Sequence, residues 1–170
     1  TRARSISWRA AGGGSPAFAH GCNYPWSTDG ETVFYGLDFG ANVWGSHLGV
    51  STRRAAVARD FDAMAGLGFR FVRWFVFCDG RAGIVWNDAG RPAGLDPHFF
   101  TDLDAALETA AAAGIAVDLV LFDHTWMFTG VREVLGDPAT GAALDVKLPR
   151  GRAHVLHSEA GRRALFRLVV

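Results

Sequence analysis

At 170 residues the chain is long enough for one domain of ordinary size, and an apolar fraction of 49% allows a sizeable core. Lys+Arg and Asp+Glu are both 17, so no basic excess points to a nucleic-acid or anionic-membrane partner. No stretch approaches the roughly 18 apolar residues of a membrane span, and the two cysteines, Cys22 and Cys78, do not make a disulfide framework.

Residues 1–17 are Arg- and Gly-rich and read as a loosely attached lead. A short strand is expected over 18–26, stopped by Pro25, which cannot donate to a central ladder. Residues 27–49 form a long loop rich in Gly and aromatics, Trp44 among them. Its aromatic content argues for an ordered, functional loop rather than a disordered one.

A helix is expected to start at a cap on Ser51 or Thr52 and to run to about Leu67, with Val57, Phe61, Met64 and Leu67 at helical spacing. Gly66 or Gly68 would supply its left-handed end. The next strand, to Phe77, is a near-continuous apolar run that carries Arg73 inside it. Residues 79–95 form a second loop, with hairpin character around Asn87 to Gly90.

Asp96-Pro97 marks the next helix start, an N-cap acid followed by proline. Phe100, Leu103, Leu107 and Ala110 are its expected buried stripe. Gly114 ends it, and a third apolar strand runs to Phe122, followed by Asp123, His124 and Trp126. Residues 125–157 form a third long loop with breakers at Pro138 and Pro149. Ser158 caps a last helix beginning at Glu159.

Near-continuous apolar strands alternating with amphipathic helices indicate a parallel sheet. In each unit the long loop follows the strand and the short one follows the helix, the asymmetry of a barrel whose site is built from the loops after its strands. The expected fold class is α/β: a partial (β/α)8 TIM barrel of about the first three βα units, occupying 18–170 and truncated at the C-terminus, because a closed barrel takes about 250 residues.

No dinucleotide fingerprint, Walker loop, Cys-x-x-Cys pair or nucleophile elbow is present. His154 and His157 are three apart but have no frame of further ligands, so no metal is expected. Arg73 is the sharpest single residue. A guanidinium inside a run of Phe, Val and Trp is costly to bury unpaired, which suggests an Arg that holds a carboxylate in place, or a structural ion pair. Asp79 and Asp123 are the acids at strand ends. His124 there is suited to bonding a substrate hydroxyl or a catalytic carboxylate, or is a satisfied strand-end histidine. Asp118, in mid-strand, is expected to meet a helix or Arg70. Six Trp, several at strand ends, suit either stacking on sugar faces or filling the layers of the fold.

The segments at 21–25, 55–68, 71–73 and 99–126 together resemble the start of a clan A glycoside hydrolase, of the cellulase-like family 5 and mannanase type. That resemblance implies hydrolysis of O-glycosyl bonds in a β-linked poly- or oligosaccharide by a retaining mechanism, with no cofactor. It gives Arg73 a role supporting the catalytic site, and it places Asn23, Tyr24 and Trp26 at the first strand's mouth. Asn23, Trp26, Trp44, Asp79, His124 and Trp126 are the candidate substrate-binding residues. The two catalytic glutamates of the family follow its fourth and seventh strands, and nothing here matches them. A non-catalytic carbohydrate-binding barrel and another kind of barrel enzyme are the alternatives. On this reading the isolated chain has no glycosidase activity and low solubility, since an open barrel leaves strand edges unpaired. A soluble monomer with one cooperative unfolding transition would overturn the expectation of truncation.

Overall fold

The computed structural model describes residues 20–127, 131–136, 140, 143–148 and 152–169; the lead at 1–17, Pro138 and Pro149 lie outside them. Three strands, β1 (Gly21–Asn23), β2 (Phe71–Phe75) and β5 (Ala116–Val120), form a parallel sheet in the order β1-β2-β5. Two further strands, β3 (Ile84–Trp86) and β4 (Pro92–Leu95), make an antiparallel hairpin in the loop after β2. Asn87 Oδ1 accepts the backbone N–H groups of Ala89 and Arg91 and so shapes its turn. A second hairpin, β6 (Val131–Gly136) and β7 (Ala143–Leu148), lies in the segment read from sequence as loop. Short α3 (Ala153–His157) follows, so His154 and His157 stand on a helix rather than in a loop. His154 Nε2 lies 2.7 Å from the Gly90 carbonyl, at the tip of the first hairpin.

Helices α1 (Arg54–Gly66), α2 (Phe99–Ala112) and α4 (Glu159–Val169) follow the three sheet strands in turn. The C-terminal end of α1 is closed by backbone bonds: Phe69 N–H reaches the Met64 carbonyl and Gly68 N–H the Ala65 carbonyl. Gly68 takes φ +89 to allow it, the left-handed cap that glycine supplies without steric cost. Ser158 caps α4 as expected, its Oγ accepting the Gly161 N–H at 3.0 Å. The expected cap on α1 is corrected. The helix begins at Arg54 without a side-chain cap, behind a 3-10 turn at Val50–Thr52. Ser51 Oγ is drawn instead to Asp102, and Thr52 Oγ1 to the Gly49 carbonyl.

The expected stripe of α2 is also corrected. Its buried residues are Phe99, Asp102, Ala105, Ala106, Thr109 and Ala110, whereas Phe100 is 60% and Leu107 41% exposed. The helix turns an acid inward because Asp102, fully buried, is the anchor of the long loop before α1. Its carboxylate accepts Gly40 N–H at 2.8 Å and Ser51 N–H at 2.9 Å, with Ser51 Oγ and His47 Nε2 as further partners. Gly49 packs so closely on that carboxylate that a β-carbon there would collide with it.

Asp38 does the same for the start of the loop. It accepts Ser27 N–H, Ser27 Oγ, Arg53 Nη2 and the Trp74 indole N–H, while Arg53 lies over the Phe34 ring at 3.7 Å. The loop at 27–49 is therefore ordered, as its aromatic content suggested. The core lies between the sheet and the two first helices, where Val72 and Trp74 of β2 meet Val57 and Phe61 of α1. Tyr24, Phe61 and Trp74 pack edge to face.

The opposite face of the sheet carries Asn23, Arg73 and Asp118, all exposed and in register across the three strands. Asp118 thus stands level with Arg73, not with Arg70 or a helix. Replacing Asp102 with Ala strips an acceptor from two backbone N–H groups and is expected to cost about 3 kcal/mol or more. Urea unfolding of the parent and Asp102→Ala chains measures it, and equal midpoints would overturn the anchoring role.

Candidate functional site

Because the three sheet strands are parallel, the segments that follow them gather at one end of the sheet. Trp26 comes after β1, the stretch Cys78–Arg81 after β2, and Asp123 to Trp126 after β5. The loop at 27–49 joins them through Tyr35, whose hydroxyl donates to Asp123 Oδ2 at 2.7 Å.

The two strand-end acids are both engaged in holding this end together. Asp123 accepts Tyr35 O–H and Cys78 S–H on one oxygen, and Thr125 N–H and Thr125 Oγ on the other. Burial alone would raise its pKa, but the hydrogen bonds from Thr125, Tyr35 and Cys78 outweigh it and hold the carboxyl below its ordinary value. Asp79, 4% exposed, pairs with Arg81 through Nε at 2.6 Å and through Nη2. Burial pushes its pKa up, and Arg81 only partly offsets this.

Cys78 sits between them at φ +46, the left-handed region that a side chain rarely takes. Burial, with Asp79 and Asp123 nearby, pushes its thiol well up, so it is a proton donor and not a thiolate. Arg152 reaches in from the turn before α3, donating to the Asp79 and Gly80 carbonyls and lying over the Trp86 ring at 3.7 Å. Burial lowers its pKa to about 10, Asp79 resisting and Arg81 adding to the fall.

Against this frame the expected site residues divide. Trp26 is half-buried, and Asn23 and His124 are exposed, all at this end or on the open face of the sheet. Arg73 is exposed, so its guanidinium needs no buried partner. The alternation along β2 sends Val72 and Trp74 into the core and Arg73 to the other face, where its guanidinium lies 4.8 Å from the Phe75 ring centre. Since Phe75 is two residues further along the strand, the guanidinium leans toward the same end as the site.

Trp126 is corrected from a surface position to the core. It is fully buried, its indole N–H donates to the Cys78 carbonyl at 2.6 Å, and its ring packs on Phe122 and Trp86, so no ring face is left for a ligand. Asp79 is likewise buried on Arg81 instead of facing a substrate. Tyr24 turns toward α1, its hydroxyl donating to Asp60 at 2.7 Å. Trp44 is half-buried against the small cluster of Phe34, Leu37 and Ala82. Among the described residues no group of three or more His, Cys, Asp or Glu side chains is arranged to hold a metal ion, and no helix is long and apolar enough to cross a membrane.

Tyr35, Arg81 and Arg152 escaped the sequence reading. Tyr35 lay in a loop whose partner is 88 positions away. Arg81 had a weak signal, an Arg two residues after a strand-end Asp. Arg152 had none.

No family model matches the sequence, and no curated protein matches it. Solved structures do match in fold. A β-1,4-D-mannanase from Cryptopygus antarcticus superposes with a TM-score of 0.63 at 17% identity, over 92% of this chain and 35% of its own. A β-mannanase from the blue mussel Mytilus edulis gives 0.57 at 17% identity, over 80% and 32%. An endo-1,4-β-mannanase from Eisenia fetida gives 0.53 at 20% identity, over 79% and 31%. The chain thus spans about a third of the length of these proteins, and its parallel βα units have the fold of the N-terminal third of their barrels.

The lowered pKa of Asp123 has a definite sign. A carboxyl held below its unfolded value contributes stability above that value, and the contribution is lost as pH falls through the folded pKa. The parent is expected to lose stability on acidification below about pH 4. Asp123→Asn should be less stable at neutral pH and fall less steeply on acidification. Urea midpoints across that range read both; parallel curves would exclude Asp123 as a source of the acid sensitivity.

Proposed function

We propose that this chain is the N-terminal part of a (β/α)8-barrel glycoside hydrolase acting on β-linked polysaccharide, with β-1,4-mannan the first substrate to test. The observation that carries the reading is the superposition on three mannanases over 79–92% of this chain. The sequence resemblance over segments within 21–126 points the same way.

Hydrolysis with retention takes two carboxyls about 5–5.5 Å apart, one as nucleophile and the other as acid then base. Neither strand-end acid of this chain suits the work. Asp123 carries four hydrogen-bond donors, and Asp79 is buried on Arg81. On this reading the catalytic glutamates lie outside these 170 residues, and the roles here are to bind and orient. Arg73, leaning toward the site end of β2, holds a catalytic carboxylate in its ionised form. Asn23 and His124 bond sugar hydroxyls, Trp26 meets a sugar face, and Asp79 and Trp126 keep the walls in place. No cofactor takes part.

The test is calorimetric titration of the chain with β-1,4-mannohexaose and with cellohexaose, alongside a reducing-sugar assay. Saturable binding of a β-linked hexasaccharide without release of reducing ends is expected. Hydrolysis by the chain alone would overturn the placement of the glutamates, and failure to bind either sugar would overturn the reading itself.

A further inference from the structure

We propose that the outer face of α2 and α4 is a self-association surface, on which a second copy of this chain docks about a two-fold axis. Burial fixes which sides of these helices meet the core: Phe99, Asp102, Ala106 and Ala110 on α2, and Leu165 on α4. The other sides are not uniformly polar. Phe100 is 60% and Leu107 41% exposed on α2, and Phe166 is 63% exposed on α4. Exposed apolar residues scattered singly are ordinary, but several gathered on one face mark an interface.

The two helices are neighbours. Leu103 of α2 and Leu168 of α4 line one apolar cleft of about 200 Å³, together with Phe99, Phe100, Leu119 and Leu121. The surface thus has a hollow and, beside it, aromatic rings that protrude. Those rings lie on the sides of the helices turned from the core. The free edges of the sheet, on β1 and β5, are elsewhere.

Charge selects the occupant. Across α2 the charged residues are Asp102, Asp104 and Glu108, with no Lys or Arg. α4 carries Arg162, Arg163 and Arg167 against Glu159 alone. Glu108 is paired with Arg54, and Arg163 with Glu159. Asp104 and Arg162 are both exposed and make no ion pair among the described residues, Arg162 donating to the Leu156 carbonyl. One chain therefore presents an acidic helix and a basic helix side by side, each with an exposed phenyl ring. A second copy offers both in matching order.

Spacing sets the register. Phe100 and Asp104 are four apart on α2, and Arg162 and Phe166 are four apart on α4, so in each helix the ring and the charge share a face. With the partner's α4 lying antiparallel on α2, Phe100 meets the partner's Phe166 and Asp104 meets the partner's Arg162. The two-fold axis repeats the same contacts with the roles exchanged. Docking α2 on α2 would set acid against acid, and α4 on α4 base against base, so neither competes. The pairing is independent of sugar binding.

Sedimentation equilibrium of the 170-residue chain, over about a hundredfold range of concentration, tests the pairing. A monomer–dimer equilibrium that weakens with added salt is expected. Phe166→Gln should raise the dimer dissociation constant about tenfold. Asp104→Arg and Arg162→Asp should each raise it about tenfold, and the two together should return it to within about threefold of the parent. That rescue separates a charge contact between copies from a loss of stability, which urea midpoints at low concentration follow in parallel. A monomer throughout the range would overturn the proposal. A dimer unmoved by these substitutions would overturn it too, by placing the interface elsewhere. Growth past the dimer would overturn the two-fold pairing and assign association to the open strand edges.

Discussion

Two buried carboxylates hold the long loop at 27–49, and the rest of the structure depends on them. Asp38 takes Ser27, Arg53 and the Trp74 indole; Asp102 takes Gly40, Ser51 and His47. A charge buried this deeply is tolerated only when its lone pairs are filled. Each therefore specifies a set of partners and not just a contact. One set joins the start of the loop to β2 and to the residue before α1. The other joins its end to α2. Between them the loop has little choice of path, and that path delivers Tyr35 to Asp123.

The same economy of charge governs the end of the sheet where the loops meet. Asp79, Arg81, Asp123 and Arg152 all carry or can carry charge, and all are buried. They are arranged so that each charge answers another group nearby: Arg81 on Asp79, Tyr35 and Thr125 on Asp123, Arg152 on two carbonyls and an indole face. Such a network is rigid because removing any member strands its neighbour. It also explains why the acids at the strand ends are structural. A carboxylate with every lone pair engaged cannot attack a substrate or accept its proton without losing those bonds.

How far the sequence could be read shows in particular residues. The parallel βα units were legible because apolar runs of strand length alternate with 3.6-residue periodicity. The Gly68 and Ser158 helix ends were legible because a local rule places them. The α2 stripe was misread because Phe100, Leu103 and Leu107 are the more apolar face, and only the distant loop explains why Asp102 turns inward. Ser51 was misread as a helix cap for the same reason, its hydroxyl being claimed by Asp102. The hairpin at β6 and β7 was missed among turn-forming residues, where breakers masked two short strands.

Trp126 was placed on the wrong side of a surface, and the sequence left the exposure of Arg73 open. A strand-end Trp looks the same in sequence whether its ring faces solvent or the core, and the period of two along β2 was hidden by apolar residues on both faces. What the sequence by itself determined is the class of fold, the order of its βα units and which ends of the sheet strands come together, because these follow from periodicity and local capping. What only the tertiary structure decided is which polar groups meet. Asp123 with Tyr35, Asp38 with Trp74, and Arg152 with Gly80 are separated by 88, 36 and 72 positions. No local preference encodes such pairs; they are selected by the need to satisfy each buried charge once the chain has closed around it.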